Sequence, residues 1–305
     1  MLGAPVAFGQ GLDGVDDGPR ILREHGISDV VTQLGWRFED CGDVEVVRPA
    51  HGDPEAPSGK KAKHAYAVGL SCHRLAERVK AVAEEGSFAL TLGGDHSIAV
   101  GTLGGVLAAR PGAGVLWVDA HADINTPDSS PSGNVHGMPV AFLMGLIDGS
   151  STPGYGWLGD FAPKLRAEDI VYVGLRQVDA GERRMLKSVG IRAYDMHAVD
   201  RLGIGRVMEE ALAHLTAKGP RPLHLSFDID ACDPSVAAST GTTVQGGLNY
   251  REAHFICEEL ARTGLLSSMD MVEVNPKLGA DEQDAGKTAS VAVELIASAL
   301  GRSVL

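Results

Sequence analysis

An alternation constrains this chain's fold more than any other feature: short apolar runs of β character, each followed by a stretch of helical periodicity. Residues 87–92 (SFALTL) precede a helical stretch at 98–109, and 114–118 (GVLWV) form the next strand. Residues 170–175 (IVYVGL) lead into a helix near 181–189, and 191–194 read as a short strand. Helical periodicity over 203–218 precedes a strand at 223–227 (LHLSF), and a helix over 250–263 precedes a strand at 269–274 (MDMVEV). Further helices are predicted at 15–25, 66–85 and 285–300. Such alternation predicts an α/β fold, a mostly parallel sheet with helices on both faces. No repeat, low-complexity tract or linker divides the chain, so residues 1–305 are expected to form a single domain.

The strands end alike. Leu92 runs into Gly93-Gly94-Asp95-His96, and Val118 into Asp119-Ala120-His121-Ala122-Asp123. Phe227 runs into Asp228-Ile229-Asp230, and Val272 into Glu273-Val274-Asn275-Pro276. In a parallel sheet all the strand C-termini share one edge, where ligands bind in open α/β folds. Taken singly, a strand-end Asp is more often a turn or helix cap than a ligand. Taken together, that many carboxylates cannot crowd one partly buried edge without a cation between them.

Two imidazoles, His96 and His121, and four carboxylates, Asp119, Asp123, Asp228 and Asp230, make a mixed and mostly oxygen ligand set. Six ligands exceed the needs of one tetrahedral zinc. With some carboxylates bridging, they suit two divalent ions about 4 Å apart, which points to hydrolysis. The set favours Mn²⁺ over soft metals, and ligand type leaves Zn, Fe, Co and Ni open.

Composition narrows the partners. With 40 acidic against 27 basic residues, the formal charge is −13, and the densest basic cluster is only Lys60-Lys61-Ala62-Lys63. No nucleic-acid or anionic-membrane partner is expected, and a cationic substrate would not be repelled. Cys41, Cys72, Cys232 and Cys257 lie far apart without a CxxC pair, the pattern of a reduced, cytoplasmic protein. The N-terminus has no basic region and too short an apolar run for a signal peptide, and no stretch is long enough to span a membrane. Two loops, 43–60 and 126–137, are long and rich in Gly, Pro and Ser, as functional loops often are.

GGDHS, DAHAD, SFDIDACDPS and EVNP, in this order and at these separations, resemble the ureohydrolase family over nearly the whole chain. The resemblance implies a three-layer α/β/α sandwich around a parallel eight-stranded sheet, and two Mn²⁺ ions per subunit. One ion would be held by His96, Asp119, Asp123 and Asp228. The other would be held by His121, Asp119, Asp228 and Asp230, with Asp119 and Asp228 bridging. His136 matches the family's proton-shuttling histidine, and Glu273 the acid that pairs with the substrate guanidinium. Asp123 is the residue expected to accept the proton of the attacking water.

Within the family the likeness is to arginases rather than agmatinases. The loop NTPDSSPSGN supplies Asn125, Ser130, Ser132 and Asn134, which match the contacts to an α-carboxylate that agmatine lacks. Asp179 and Glu182 match the acids near the α-amino group, although a helix N-terminus would favour acids there on its own account. Thr242 matches a hydroxyl lining the pocket. Leu12-Asp13 stands where relatives often read Arg-Gly, so the entrance is expected to differ. Met1 falls almost inside the first strand, which makes the start site suspect, and the tail stops at GRSVL. The resemblance implies hydrolysis of L-arginine to L-ornithine and urea, in a homotrimer or a hexamer built from trimers. Three alternatives stay open: another ureohydrolase acting on agmatine or a guanidino acid, a two-metal phosphoesterase, and a silent metal-binding homologue.

Overall fold

The structure, a computed structural model, describes residues 1–54 and 61–303. Residues 55–60 of the predicted 43–60 loop, with Lys60 of the basic cluster, and residues 304–305 of the tail lie outside the described residues. The sheet is built from β1 (Leu2–Ala4), β2 (Ala89–Gly93), β3 (Gly114–Val118), β4 (Ile170–Leu175), β5 (Arg192–Asp195), β6 (Leu223–Asp228) and β7 (Leu266–Val272). Their order is β1-β2-β7-β6-β3-β4-β5, with every pair parallel. Among the described residues the sheet thus has seven strands, where the family resemblance implies eight. Beyond β1 the ladder continues only as an isolated parallel bridge from Gly3 to Asp43. Gly42, at φ 73°, turns the backbone out of an extended path just before it.

The central strands β2, β3 and β4 are almost wholly apolar because both faces are covered, whereas the edge strand β5 reads RAYD and is largely exposed. On β3, Val115 and Trp117 enter one core while Leu116 and Val118 enter the other. The first core is closed by the helices Ala65–Glu84 and Ala99–Ala109. The helices Gly18–Glu24, Ile204–Leu215, Tyr250–Arg262 and Glu282–Ala299 close the second. Helix Ala65–Glu84 buries Val68, Cys72, Leu75 and Val79, the spacing of one helical face. It approaches Ala99–Ala109 closely: a Cβ on Gly101 would stand 2.6 Å from the Cys72 carbonyl.

Several boundaries shift for local reasons. The helix predicted at 15–25 begins as a 3-10 turn, Val15–Asp17, before Gly18–Glu24. The stretch predicted at 203–218 is preceded by a separate helix, Met196–Leu202, capped by Asp195. Gly203, at φ 76°, divides that helix from Ile204–Leu215. Strand β7 starts at Leu266 rather than 269 and stops at Val272, because Glu273 turns to φ 63°.

Candidate metal centre

Five adjacent strands, β2, β7, β6, β3 and β4, deliver polar residues from their C-terminal ends to one place. His96 follows β2, Glu273 follows β7, and Asp228 ends β6 with Asp230 in the 3-10 turn after it. Asp119, His121 and Asp123 follow β3, and Gln177 and Asp179 follow β4. Gly174 makes room there: its φ of 101° sets an irregularity in β4, and a Cβ would stand 3.1 Å from the Asp119 carbonyl.

The His96 Nδ1 atom lies 3.1 Å from Asp119 Oδ2, 3.2 Å from Asp123 Oδ2 and 3.2 Å from Asp228 Oδ2. His121 Nδ1 lies 3.4 Å from Asp119 Oδ1 and 3.1 Å from Asp230 Oδ2. Asp119 therefore turns one oxygen to each imidazole. Asp228 Oδ1 accepts from the Asp230 backbone N–H at 2.8 Å, and Oδ2 is the oxygen that faces His96. His96 Nδ1 is buried and has no hydrogen-bond partner. Two overlapping groups, His96–Asp119–Asp228 and Asp119–His121–Asp230, have donor atoms within 4.8 Å of one another.

The electrostatics describe a site short of positive charge. Burial raises the Asp123 carboxyl to about 6, and the Asp119 charge adds to the rise. Burial also pushes Asp228 well up, with Asp230 and Asp119 adding to it. Burial opposes a charged His96, yet Asp119, Asp123 and Asp228 carry its pKa well above the ordinary imidazole value. Burial opposes charge on His121 too, and Asp230 and Asp119 overcome it. Burial would raise Asp119, but His121 and His96 hold it down. A cation held between these carboxylates would favour the ionised form that burial opposes at Asp123 and Asp228. The unpartnered Nδ1 of His96 and the oxygen-rich donor set fit divalent metal ions.

Above this cluster opens a cavity of about 330 Å³. His121, Asp123, Asp228 and His136 reach its wall, as do Asn125, Ser130, Ser132, Asn134, Asp179, Glu182 and Thr242. His96, Asp119, Asp230 and Glu273 are not on the wall and are nearly or fully buried. Glu273 Oε1 accepts from the His96 backbone N–H at 2.8 Å and lies 3.0 Å from His136 Nδ1. Burial works against a charged His136, but the hydrogen bond to Glu273 outweighs it and lifts the pKa to about 9.

Asp179 and Glu182 serve the helix and the cavity at once. They form a reciprocal capping box on the helix Ala180–Val189 and also line the wall. Burial and the charge of Asp123 raise Glu182 to about 7. Asp179 Oδ2 accepts from Asn125 Nδ2 at 2.7 Å, and Thr242 Oγ1 donates to Asp230 Oδ2 at 2.7 Å. Ser130 Oγ accepts from Gly133 N–H and Ser132 Oγ from Asn134 N–H, which folds the loop against the cavity. Leu12 is 44% exposed and lies beside Gly241, next to Thr242.

Sequence reasoning missed Ser129, whose hydroxyl donates to Asn125 Oδ1 at 2.7 Å, and Gln177, whose Oε1 lies 2.9 Å from His121 Nε2. It also missed Trp117, which stacks on His96 with ring centroids 4.2 Å apart and donates to Asp119 Oδ2 at 3.0 Å. Only Gln177, by its place after a strand end, carried a signal that could have found it.

The profile of the Arginase family matches residues 1–301. A hepatic arginase from Aquarana catesbeiana is 46% identical over 308 residues, covering 99% of this chain and 92% of its own length. Arginase-1 from Homo sapiens is 44% identical over 303 residues, with coverage of 99% and 92%. Among solved structures, a native arginase from Bacillus caldovelox superposes with a TM-score of 0.91 at 42% identity, covering 100% of this chain and 98% of that one.

Proposed function

The chain belongs to the arginase family and hydrolyses L-arginine to L-ornithine and urea, and we propose that the residues gathered at the sheet edge carry that reaction. One observation supports the assignment above the rest. The buried, unpartnered Nδ1 of His96 faces three carboxylate oxygens, and Asp119 links it to His121 beneath the cavity.

His96, Asp119, Asp123 and Asp228 would hold one Mn²⁺, and His121, Asp119, Asp228 and Asp230 the other. Bound there, two such ions lower the pKa of a shared water and so supply a nucleophile at neutral pH. The residues around them then do the positioning and the proton work. Glu273, whose Oε1 is engaged by His96 N–H and His136 just beneath the cavity wall, is the acid assigned to the substrate guanidinium. The oxygen of the water, already deprotonated to hydroxide, bonds to the guanidinium carbon, and Asp123 takes its remaining proton. Asp123 gives that proton to the side-chain nitrogen as the C–N bond breaks, leaving urea and the amine of ornithine. His136, on the cavity wall, exchanges protons between the site and solvent, a task suited to imidazole. Asn125, Ser130, Ser132 and Asn134 meet the α-carboxylate, Asp179 and Glu182 the α-ammonium, and Thr242 lines the path between them.

We take the chain as one catalytic unit over 1–305, assembled as a homotrimer or as a hexamer of trimers, which light scattering on the purified protein tests. Its four cysteines are free, and no helix of the described residues is long and apolar enough to cross a membrane. We read its location as the cytoplasm.

Urea release from L-arginine and from agmatine, compared after loading with Mn²⁺, tests the assignment. Turnover of arginine and not of agmatine is expected. Turnover of agmatine alone would overturn the role given to the loop from Asn125 to Asn134. A parallel series with Zn²⁺, Co²⁺ and Ni²⁺ tests the metal.

A further inference from the structure

The cavity that receives the substrate is acidic. Its wall carries Asp123, Asp179, Glu182 and Asp228, and no lysine or arginine stands among the described residues of that wall. An α-carboxylate entering it needs donors turned inward and a positive charge behind them. The chain has little positive charge to spare: it carries a formal −13, and its densest basic run ends in Lys61-Ala62-Lys63.

That run is bound to the loop 126–137. Lys61 N–H donates to the Pro127 carbonyl at 3.1 Å, and Lys63 N–H to the Gly133 carbonyl at 2.8 Å. Gly133, at φ 75°, permits the approach, since a Cβ there would stand 2.8 Å from the Lys61 Cβ. Lys61 and Lys63 line a second cavity, and Ser132 is on the walls of both, so the loop is the partition between lysines and substrate.

Across that partition Lys63 Nζ donates to Asn134 Oδ1 at 3.2 Å. An ammonium group has only donors, so it takes the amide by its oxygen. The amide cannot turn over without setting its own NH₂ against the ammonium. Asn134 lines the substrate cavity, so the edge left to a ligand is Nδ2, whose hydrogens suit a carboxylate. Its backbone is fixed too, with Asn134 N–H donating to Ser132 Oγ at 3.1 Å just before the turn Val135–Gly137.

We infer that Lys63 is a positioning residue for substrate selection. It holds the Asn134 amide with Nδ2 toward the α-carboxylate and lends that end of the cavity its positive charge. The inference rests on the role proposed above for the loop from Asn125 to Asn134, and adds the residue outside the cavity that sets it. Lys63 is exposed, so its charge is screened and the effect is moderate.

The test uses the Mn²⁺-loaded full-length chain and two probes, L-ornithine and 1,4-diaminobutane, the same diamine without the carboxylate. Calorimetry should show L-ornithine bound about 5-fold more weakly by Lys63→Met, with binding of 1,4-diaminobutane unchanged. KM for L-arginine should rise by a similar factor at nearly constant kcat. Lys63→Arg, which keeps donors and charge, should restore the parent values. Lys63→Glu should cost more than Lys63→Met, because a carboxylate draws Nδ2 to itself and turns Oδ1 toward the substrate. Lys61→Met removes an equal charge from the same run and should move L-ornithine binding far less. Equal losses for the two probes in Lys63→Met, or equal losses from Lys61→Met and Lys63→Met, would overturn the inference. So would a Lys63→Glu chain that binds L-ornithine as the parent does. A parent chain that binds 1,4-diaminobutane as tightly as L-ornithine would instead remove the carboxylate role of the loop, and this inference with it.

Discussion

Asp123 and Glu273 hold φ angles of 48° and 63°, in the left-handed region that residues with side chains rarely visit. Such a conformation costs on the order of 1–3 kcal/mol and persists where the surroundings over-determine it. Here Asp123 carbonyl accepts from Val140 N–H, and Glu273 N–H donates to the Gly94 carbonyl. Both residues leave a strand end with the carboxylate turned toward the site, so the strain serves the chemistry. Asp123 adds a second cost, since burial and the charge of Asp119 oppose its ionisation. Asp123→Asn keeps the shape, suits the left-handed backbone and removes the charge. The metal-free variant should melt about 2–4 °C higher than the metal-free parent, the shift expected for about 1 kcal/mol in a domain somewhat smaller than this one. Its urea release should fall at least about 100-fold, the scale of a lost general base. Calorimetry on the metal-free proteins and a urea assay after Mn²⁺ loading check the two, and a lower melting point would refute the charge-crowding argument.

Between elements, Arg176 is the principal tie. Its guanidinium donates to the carbonyls of Asp230, Ala231, Cys232 and Val244 at 2.6–3.2 Å, joining the end of β4 to the turn after β6 and to the 242–247 loop. Arg176→Lys cannot present that fork of donors. It should lower the melting temperature by several degrees and raise KM for arginine as Thr242 loses its footing, with proteolysis in the 240s marking the loosened loop. Asp233 is a second tie to the same loop. Its carboxylate accepts from Ser235 hydroxyl and N–H and from the Gly246 and Gly247 N–H groups. The Ser235 hydroxyl leads in holding its pKa down to about 2. A depressed carboxyl pKa adds stability that is complete above the unfolded value near 3.9 and is lost as pH falls through about 2. The gap in stability between the parent chain and Asp233→Asn should therefore be constant above about pH 5 and narrow below pH 4, as denaturant titrations at stepped pH would show. A gap that widened in acid would reverse the sign and discard the tie.

These element-scale ties were poorly legible in the sequence. The capping box of Asp179 and Glu182 shows in its D-x-x-E spacing, and the strands show in their apolar runs. Arg176, following IVYVGL, looks like any surface arginine, since nothing local tells which carbonyls will surround it. The short helix Met196–Leu202, cut off by Gly203, was missed, and helical periodicity was read only from 203 onward.

At the scale of the whole molecule, one rule carried the site: parallel strands end on one edge. It allowed His96, Asp119, Asp228 and Glu273 to be grouped before any contact was known. What the rule could not supply was strand order, because pairing β7 between β2 and β6 leaves no mark in either segment. Without that order the Ser226–Asp270 pair, opposite each other in register, was invisible. The polar alternation in LHLSF and in MDMVEV reads as a solvent-facing side, when in fact it is a buried hydrogen-bonded row behind His96. That row and the centre it supports draw on strands from both halves of the chain, so binding at the edge should stabilise the sheet as a whole. If residues 1–305 are one domain, far-UV circular dichroism and tryptophan fluorescence should trace a single coincident thermal transition. Saturating Mn²⁺ should move that transition upward intact, by about 2.7 kcal/mol of added stability for one site filled at a hundred times its dissociation constant. Two transitions, with only one responding to the ion, would divide the chain into separate units and confine the metal's influence to one of them.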